Sequence, residues 1–215
     1  MGEVKAGKRR YDSALRRQQA SQTRMRILDA AQRLFADRGY PAATVEAIAS
    51  EAGVATDTVY AAFGTKPGVL RELLNVRVVG DDSPQPLLDR PGPQAVRAQS
   101  TQRRQIAAFA RDIVVILERA RPVDDIIRSA AAVDPEVARL RDQMQQGRHD
   151  NLSRFVGWLA EKRTLRHGMS REHAAAIVWT LASPEVHRLL RAERAWSVDR
   201  YSAWLEDTLA RTLLS

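Results

Sequence analysis

Apolar residues recur along most of this chain at spacings of three and four, the period of a helix with one buried face. Ile27, Leu28, Ala31, Leu34 and Phe35 make the first such stripe. Gly39 then supplies a left-handed stop and Pro41 prevents continuation. Thr44 can cap a second, short helix whose inward residues are Val45, Ile48 and Ala49. Ala52, Gly53 and Val54 read as a tight turn, and a third helix is predicted from Thr56 to Phe63. Gly64-Thr65-Lys66-Pro67 breaks it and leaves Pro67 in the first turn of a fourth helix, with Val69, Leu70, Leu73 and Leu74 inward.

Residues 80–93 hold four prolines and two glycines, which predicts a loop or linker without helix. Beyond it, Ile106, Phe109, Ile113, Ile116 and Leu117 form a stripe that Pro122 is expected to end, with a short helix around residues 124–133 following. Pro135 opens a long helix carrying Val137, Leu140, Met144, Leu152, Val156 and Leu159, which Gly168 is expected to stop. Ser170 can cap the next, with Ala174, Ile177, Val178 and Leu181 inward. Pro184 kinks or restarts the chain before Val186, Leu189 and Leu190, and the last helix carries Tyr201, Leu205, Leu209 and Leu213. No strand-like alternation and no internal repeat is visible, so the fold class is all-α. The expected division is a flexible basic arm over 1–21, a three-helix helix-turn-helix domain over 22–67, and a larger helical domain over 68–215.

Composition narrows the partners. Net charge is +8, which favours a polyanion, either nucleic acid or an anionic membrane. The basic excess is steepest between Lys5 and Arg26, with eight Lys or Arg against one acid, Asp12. Such a run is either a solvated tail or an arm that reaches DNA. The absence of cysteine removes disulfides, thiolate metal sites and cysteine nucleophiles. The charged N-terminus does not read as a signal peptide, and the longest aliphatic run, Ile113 to Leu117, is too short to span a bilayer. A cytoplasmic protein without membrane contact is expected. His149, His167, His173 and His187 have no metal-ligand spacing, and no phosphate loop, nucleophile elbow or paired carboxylate motif stands out. Hence no catalytic residues, no metal and no cofactor are expected. A helical enzyme, or a basic DNA-coating protein with no effector, are the alternatives to a regulator.

The run from Arg26 to Leu70 resembles the DNA-binding domain of the TetR family of bacterial regulators. The resemblance is carried by Arg38-Gly39-Tyr40, Thr44, Ile48-Ala49, Ala52-Gly53-Val54, Thr58-Val59-Tyr60, Phe63 and Lys66, and spans about a fifth of the chain. It implies that Thr44 caps the second helix beside a DNA phosphate. It implies further that Thr56, Asp57, Thr58 and Ala61 face the major groove, and that Tyr60 and Lys66 touch the backbone. Arg9, Arg10, Arg16 and Arg17 are the arm residues placed to meet DNA. The family often has Ser where this chain has Ala55, so capping of the third helix would pass to Thr56. Asp57 either accepts from a cytosine amino group or favours the helix N-terminus. No Arg, Asn or Gln lies between Thr56 and Phe63, so discrimination would lean on methyl contacts, water and DNA shape.

The resemblance also implies a homodimer on double-stranded DNA, joined through the C-terminal helices and released from a palindromic operator by an unknown small molecule. The apolar stripes nominate Ile177, Leu181, Val186, Leu190, Trp204, Leu205 and Leu209 for the dimer seam. Phe109, Ile113, Met144, Arg148, Asn151, Phe155 and Trp179 are nominated for an effector pocket, the aromatics serving as core, as lining, or as both.

Overall fold

The computed structural model describes the backbone of residues 3–83 and 85–215, and side chains at 15, 16, 18–83 and 85–215. Its described residues are helical with no strand. They divide into two compact units, Met1–Val76 and Arg77–Ser215.

In the first unit, α1 (Glu3–Arg38) is far longer than its apolar stripe, and the segment expected to be a flexible arm continues it as helix. Ile27, Leu28, Ala31, Leu34 and Phe35 are all buried, as the spacing requires. α2 (Val45–Ala52) begins where the Thr44 hydroxyl accepts from the Ala47 N–H at 3.1 Å. It ends at Gly53, whose φ of +65° is a conformation a side chain would penalise. α3 (Thr56–Phe63) buries Val59 and Phe63. Its expected cap is absent: Ala55 stands at the cap position, no side-chain hydrogen bond closes the turn, and Thr56 is already helical. α4 (Lys66–Val79) follows after a single turn. A Cβ on Gly68 would sit 2.1 Å from the Phe63 carbonyl oxygen, so only glycine lets α4 start that close to α3. Val69, Leu70, Leu73 and Val76 are buried, and the compact unit therefore reaches past residue 67 to Val76.

The second unit opens with proline-rich chain that is not simply loop. Leu87–Asp89 form a 3-10 turn, and Pro91 starts α5 (Pro91–Arg97), because proline is tolerated at the first helical position. α6 (Gln102–Ala131) runs straight through Pro122, contrary to the expected stop. Pro122 itself is exposed, while buried residues flank it on both sides (Leu117 and Ala120 before, Val123 and Ile127 after). Packing of that face outweighs the roughly 3 kcal/mol that an interior proline costs. α7 (Pro135–Lys162) is capped by Asp134, and α8 (Arg171–Leu181) by Ser170. α7 ends at Lys162 rather than at Gly168, which instead shapes the loop before α8. α9 (Pro184–Arg188) loosens into a π-turn over Leu189–Glu193, and α10 (Val198–Leu213) closes the chain. α6 packs on α7 and α10, and α7 on α8, around Phe109, Phe155, Leu159, Tyr201, Leu205 and Leu209.

Candidate nucleic-acid interface and effector site

The α2–α3 pair presents one solvent face. Asp57, Thr58, Tyr60 and Ala61 are exposed on α3, Thr56 is half-buried at its first turn, and Thr44 is exposed at the start of α2. Tyr60 is 45% exposed, high for an aromatic residue on so short a helix. On the opposite side, Val59 and Phe63 are buried, so the register of α3 is fixed by its own core. With no side-chain cap, the first N–H groups of α3 remain available to an acceptor such as phosphate.

Two basic residues hold this unit together from within. The Lys66 ammonium donates to the Tyr40 carbonyl at 2.9 Å and lies 4.2 Å from the centre of the Tyr40 ring. It therefore ties the start of α4 to the turn after α1. Arg24, read from sequence only as part of a basic run, pairs with Glu72 at 2.6 Å and stacks 4.7 Å from the centre of the Phe63 ring. Its guanidinium also reaches the Ala62 carbonyl at 3.4 Å, so α1 grips the end of α3 and the flank of α4. No local pattern marks Arg24, because its partners are 38 and 48 residues away. The side chains of Arg9, Arg10 and Arg17 lie outside the described residues, and Arg16 is exposed.

In the second unit the nominated pocket residues lie on α6 (Phe109 and Ile113), α7 (Met144, Arg148, Asn151 and Phe155) and α8 (Trp179). Phe109 and Phe155 are buried and stacked on each other, ring centres 4.1 Å apart. Ile113, Met144, Asn151 and Trp179 are half-buried. Arg148 projects from α7 toward the end of α8, donating to the Trp179 carbonyl at 2.9 Å, with its guanidinium 4.7 Å from the centre of the Trp179 ring. Burial pulls its pKa down to about 10, against the opposing pull of Glu185 and Asp124. An open cleft of about 480 Å³ lies elsewhere, between Ala160, Leu165, Met169 and Ser215.

A polar network missed by the sequence reading lies beside Arg148. His187 is wholly buried, with Nε2 2.9 Å from Glu118 Oε1. Arg191 holds the same carboxylate oxygen at 2.6 Å and keeps the Glu118 pKa below its usual value. Burial lowers the His187 pKa despite Glu118, so the ring is neutral at pH 7 and its Nε2–H donates. Asp124, half-buried and repelled by Glu185 and Asp125, has its pKa pushed up to about 6. Among the described residues no group of three metal-ligating side chains converges.

Of the nominated seam residues, Ile177, Leu181, Val186, Leu190 and Trp204 are half-buried on the outer side of the core, while Leu205 and Leu209 are fully buried within it.

A capped α2, a glycine turn and an α3 with one buried and one exposed face define a helix-turn-helix DNA-binding protein. Residues 27–73 match the family described as "Bacterial regulatory proteins, tetR family". The chain is 28% identical over 204 residues to the HTH-type transcriptional repressor BepR of Brucella suis, covering 91% of this chain and 93% of that one. The fold is shared with NalD of Pseudomonas aeruginosa, a repressor of the MexAB-OprM multidrug efflux pump (TM-score 0.67, 23% identity, 92% of this chain and 98% of that one). It is shared too with FadR of Bacillus subtilis, solved in complex with stearoyl-CoA (TM-score 0.66, 19% identity, 86% and 96%). The chain is a DNA-binding transcriptional regulator whose helix-turn-helix region is similar to that of the tetR family.

Proposed function

We propose that this protein is a homodimeric repressor that leaves a palindromic operator when a small molecule binds its second unit. The observation that carries the reading is the exposed row Asp57, Thr58, Tyr60 and Ala61 on a helix whose other face is locked by Val59 and Phe63. Residues 22–67 read the DNA, and residues 68–215 serve effector binding and dimerisation. Tyr60 and the N-terminus of α3 meet the phosphate backbone, while Thr58 and Ala61 approach base edges. Two such helices, one per protomer, span successive major grooves roughly 34–36 Å apart. The effector must bind the DNA-free state more tightly than the DNA-bound one, or no release follows. Similarity to a repressor along most of the chain, and a neighbour solved with an acyl-CoA, support repression and ligand response. A regulator of this kind works in the cytoplasm, where its operator is.

The test is competition binding against an operator library selected from genomic footprints. Tyr60→Ala should weaken binding to all sequences alike, by about tenfold, as a lost backbone contact does. Thr58→Ala should instead change which sequences are preferred. Unchanged affinity and preference in both variants would remove α3 from the groove.

A further inference from the structure

Arg148 is a half-buried cation without an ion-pair partner among the described residues. Its Nε donates to Gln145 Oε1 at 3.2 Å and its Nη1 to the carbonyls of Trp179 and Ala182 at 2.9 and 3.5 Å. All three acceptors are neutral. Among the described residues it forms no ion pair: Asp124 and Glu185 act on it only from longer range, and Glu185 is already paired with Arg141 at 3.2 Å. Its Nη2 is shut off from solvent with no acceptor. The same is true of Nε1 of Trp179, the ring on which the guanidinium rests. Close by, the Tyr201 hydroxyl is spent on the Leu181 carbonyl at 3.4 Å, and Nδ1 of the fully buried His187 has no partner.

Burying a charge and leaving donors unmatched is costly, and proteins rarely do it without use. Gripping the last carbonyls of α8 does not explain the arrangement. A cation at a helix C-terminus does that with one nitrogen, and a lysine would serve. What distinguishes arginine is the second nitrogen of its fork, the one left over. Both orphaned groups on the Arg148–Trp179 pair can only donate, so the missing partner is an acceptor, and the uncompensated charge makes it an anion. Along α7, Leu152 and Phe155 follow Arg148 at spacings of four and three, both buried, with Phe155 stacked on Phe109. A polar head at Arg148 would therefore continue into apolar surroundings.

Building on the effector reading above, we infer that Arg148 and Trp179 form the head-group end of the effector site and that the effector is a carboxylic acid with an apolar body. Arg148 Nη2 and Trp179 Nε1 donate to the carboxylate, and the body lies toward Leu152 and Phe155. Because both donors are closed off in this structure, the Trp179 ring swings aside to admit the head group.

The experiment uses the full chain and three probes of one size and different charge: benzoate, benzamide and benzyltrimethylammonium. Binding is read by titration calorimetry and thermal shift, and operator affinity separately. Benzoate should bind and raise the melting temperature, and the other two should not. Arg148→Met should weaken benzoate at least tenfold. Trp179→Phe keeps the ring and the fold but removes the N–H, and should weaken it several-fold. Absence of benzoate binding to the wild type overturns the inference, as does equal binding by wild type and Trp179→Phe. Operator release by benzamide or benzyltrimethylammonium but not by benzoate overturns the anion assignment and leaves the effector reading standing. Benzoate binding that depends on Arg148 and Trp179 yet leaves operator affinity unchanged supports the anion site and sinks the effector reading.

Discussion

Asp124 carries the clearest single-residue consequence of this fold. It sits on α6, two turns short of the helix end, with no side-chain hydrogen bond among the described residues and two acids as neighbours. Burial is the largest cause of its raised pKa, repulsion from Glu185 and Asp125 adds to it, and Arg141 and Arg128 offset only part. The folded-state value of about 6 exceeds the ordinary 3.8, so the folded protein binds the proton more tightly than the unfolded chain does. Stability from this group is therefore present below pH 4 and is lost as pH rises through 6. At pH 7 the ionised carboxylate costs up to about 3 kcal/mol. Asp124→Asn should stabilise the protein at pH 7 by about 1–3 kcal/mol in urea unfolding, the amide needing no ionisation. That advantage should shrink as pH falls from 7 to 4.5. A difference between the two proteins that stays constant over this range would show that Asp124 titrates normally.

The elements differ in how far they could be read from sequence, and the difference follows sequence distance. The α2–turn–α3 block was legible because each requirement is local: Thr44 three residues before the N–H it accepts from, Gly53 at the left-handed turn, Val59 and Phe63 one turn apart. Pro122 was misread because a local helix breaker met a buried face that continues past it, from Leu117 to Ile127, and packing decided. Gly168 was misread as the end of α7 because the helix yields earlier, at Arg163, whose extended backbone no side-chain pattern announces. The uncompensated state of Arg148 was invisible altogether, because it depends on acceptors 31 and 34 residues away and on an acid that pairs elsewhere. One local feature remains imperfect in the folded state, the uncapped N-terminus of α3. The Ala55 backbone, at φ −69° and ψ 147°, already has the extended conformation a capping serine uses. Ala55→Ser should therefore raise stability by about 1 kcal/mol, read as a higher melting temperature without change in helix content. A lower melting temperature would mean that the serine side chain cannot reach the second or third N–H of α3.

For the molecule as a whole, the decisive question is what covers the outer faces of α8, α9 and α10. Ile177, Leu181, Val186, Leu190 and Trp204 are packed against the core on one side and only half-buried. Leu205 and Leu209 lie wholly inside that core and stiffen α10 from behind. Half-buried apolar side chains on neighbouring stretches of chain suit an interface, and a two-fold arrangement would set the same residues against themselves. Dimerisation would also supply what one α3 lacks, since a single helix without Arg, Asn or Gln between Thr56 and Phe63 offers few strong base contacts. Two half-sites held together multiply their affinities through effective concentration. The protein should therefore sediment as a dimer at micromolar concentration. Ile177→Glu places a charge on the patch without touching a fully buried position, so helix content should persist while the species becomes monomeric. Its operator affinity should fall by roughly 10²–10⁴, the range that linked binding provides, while affinity for an isolated half-site stays the same. A dimeric Ile177→Glu would move the seam to another face. A wild type that sediments as a monomer at every concentration, yet protects a full palindrome, would mean that DNA itself assembles the pair.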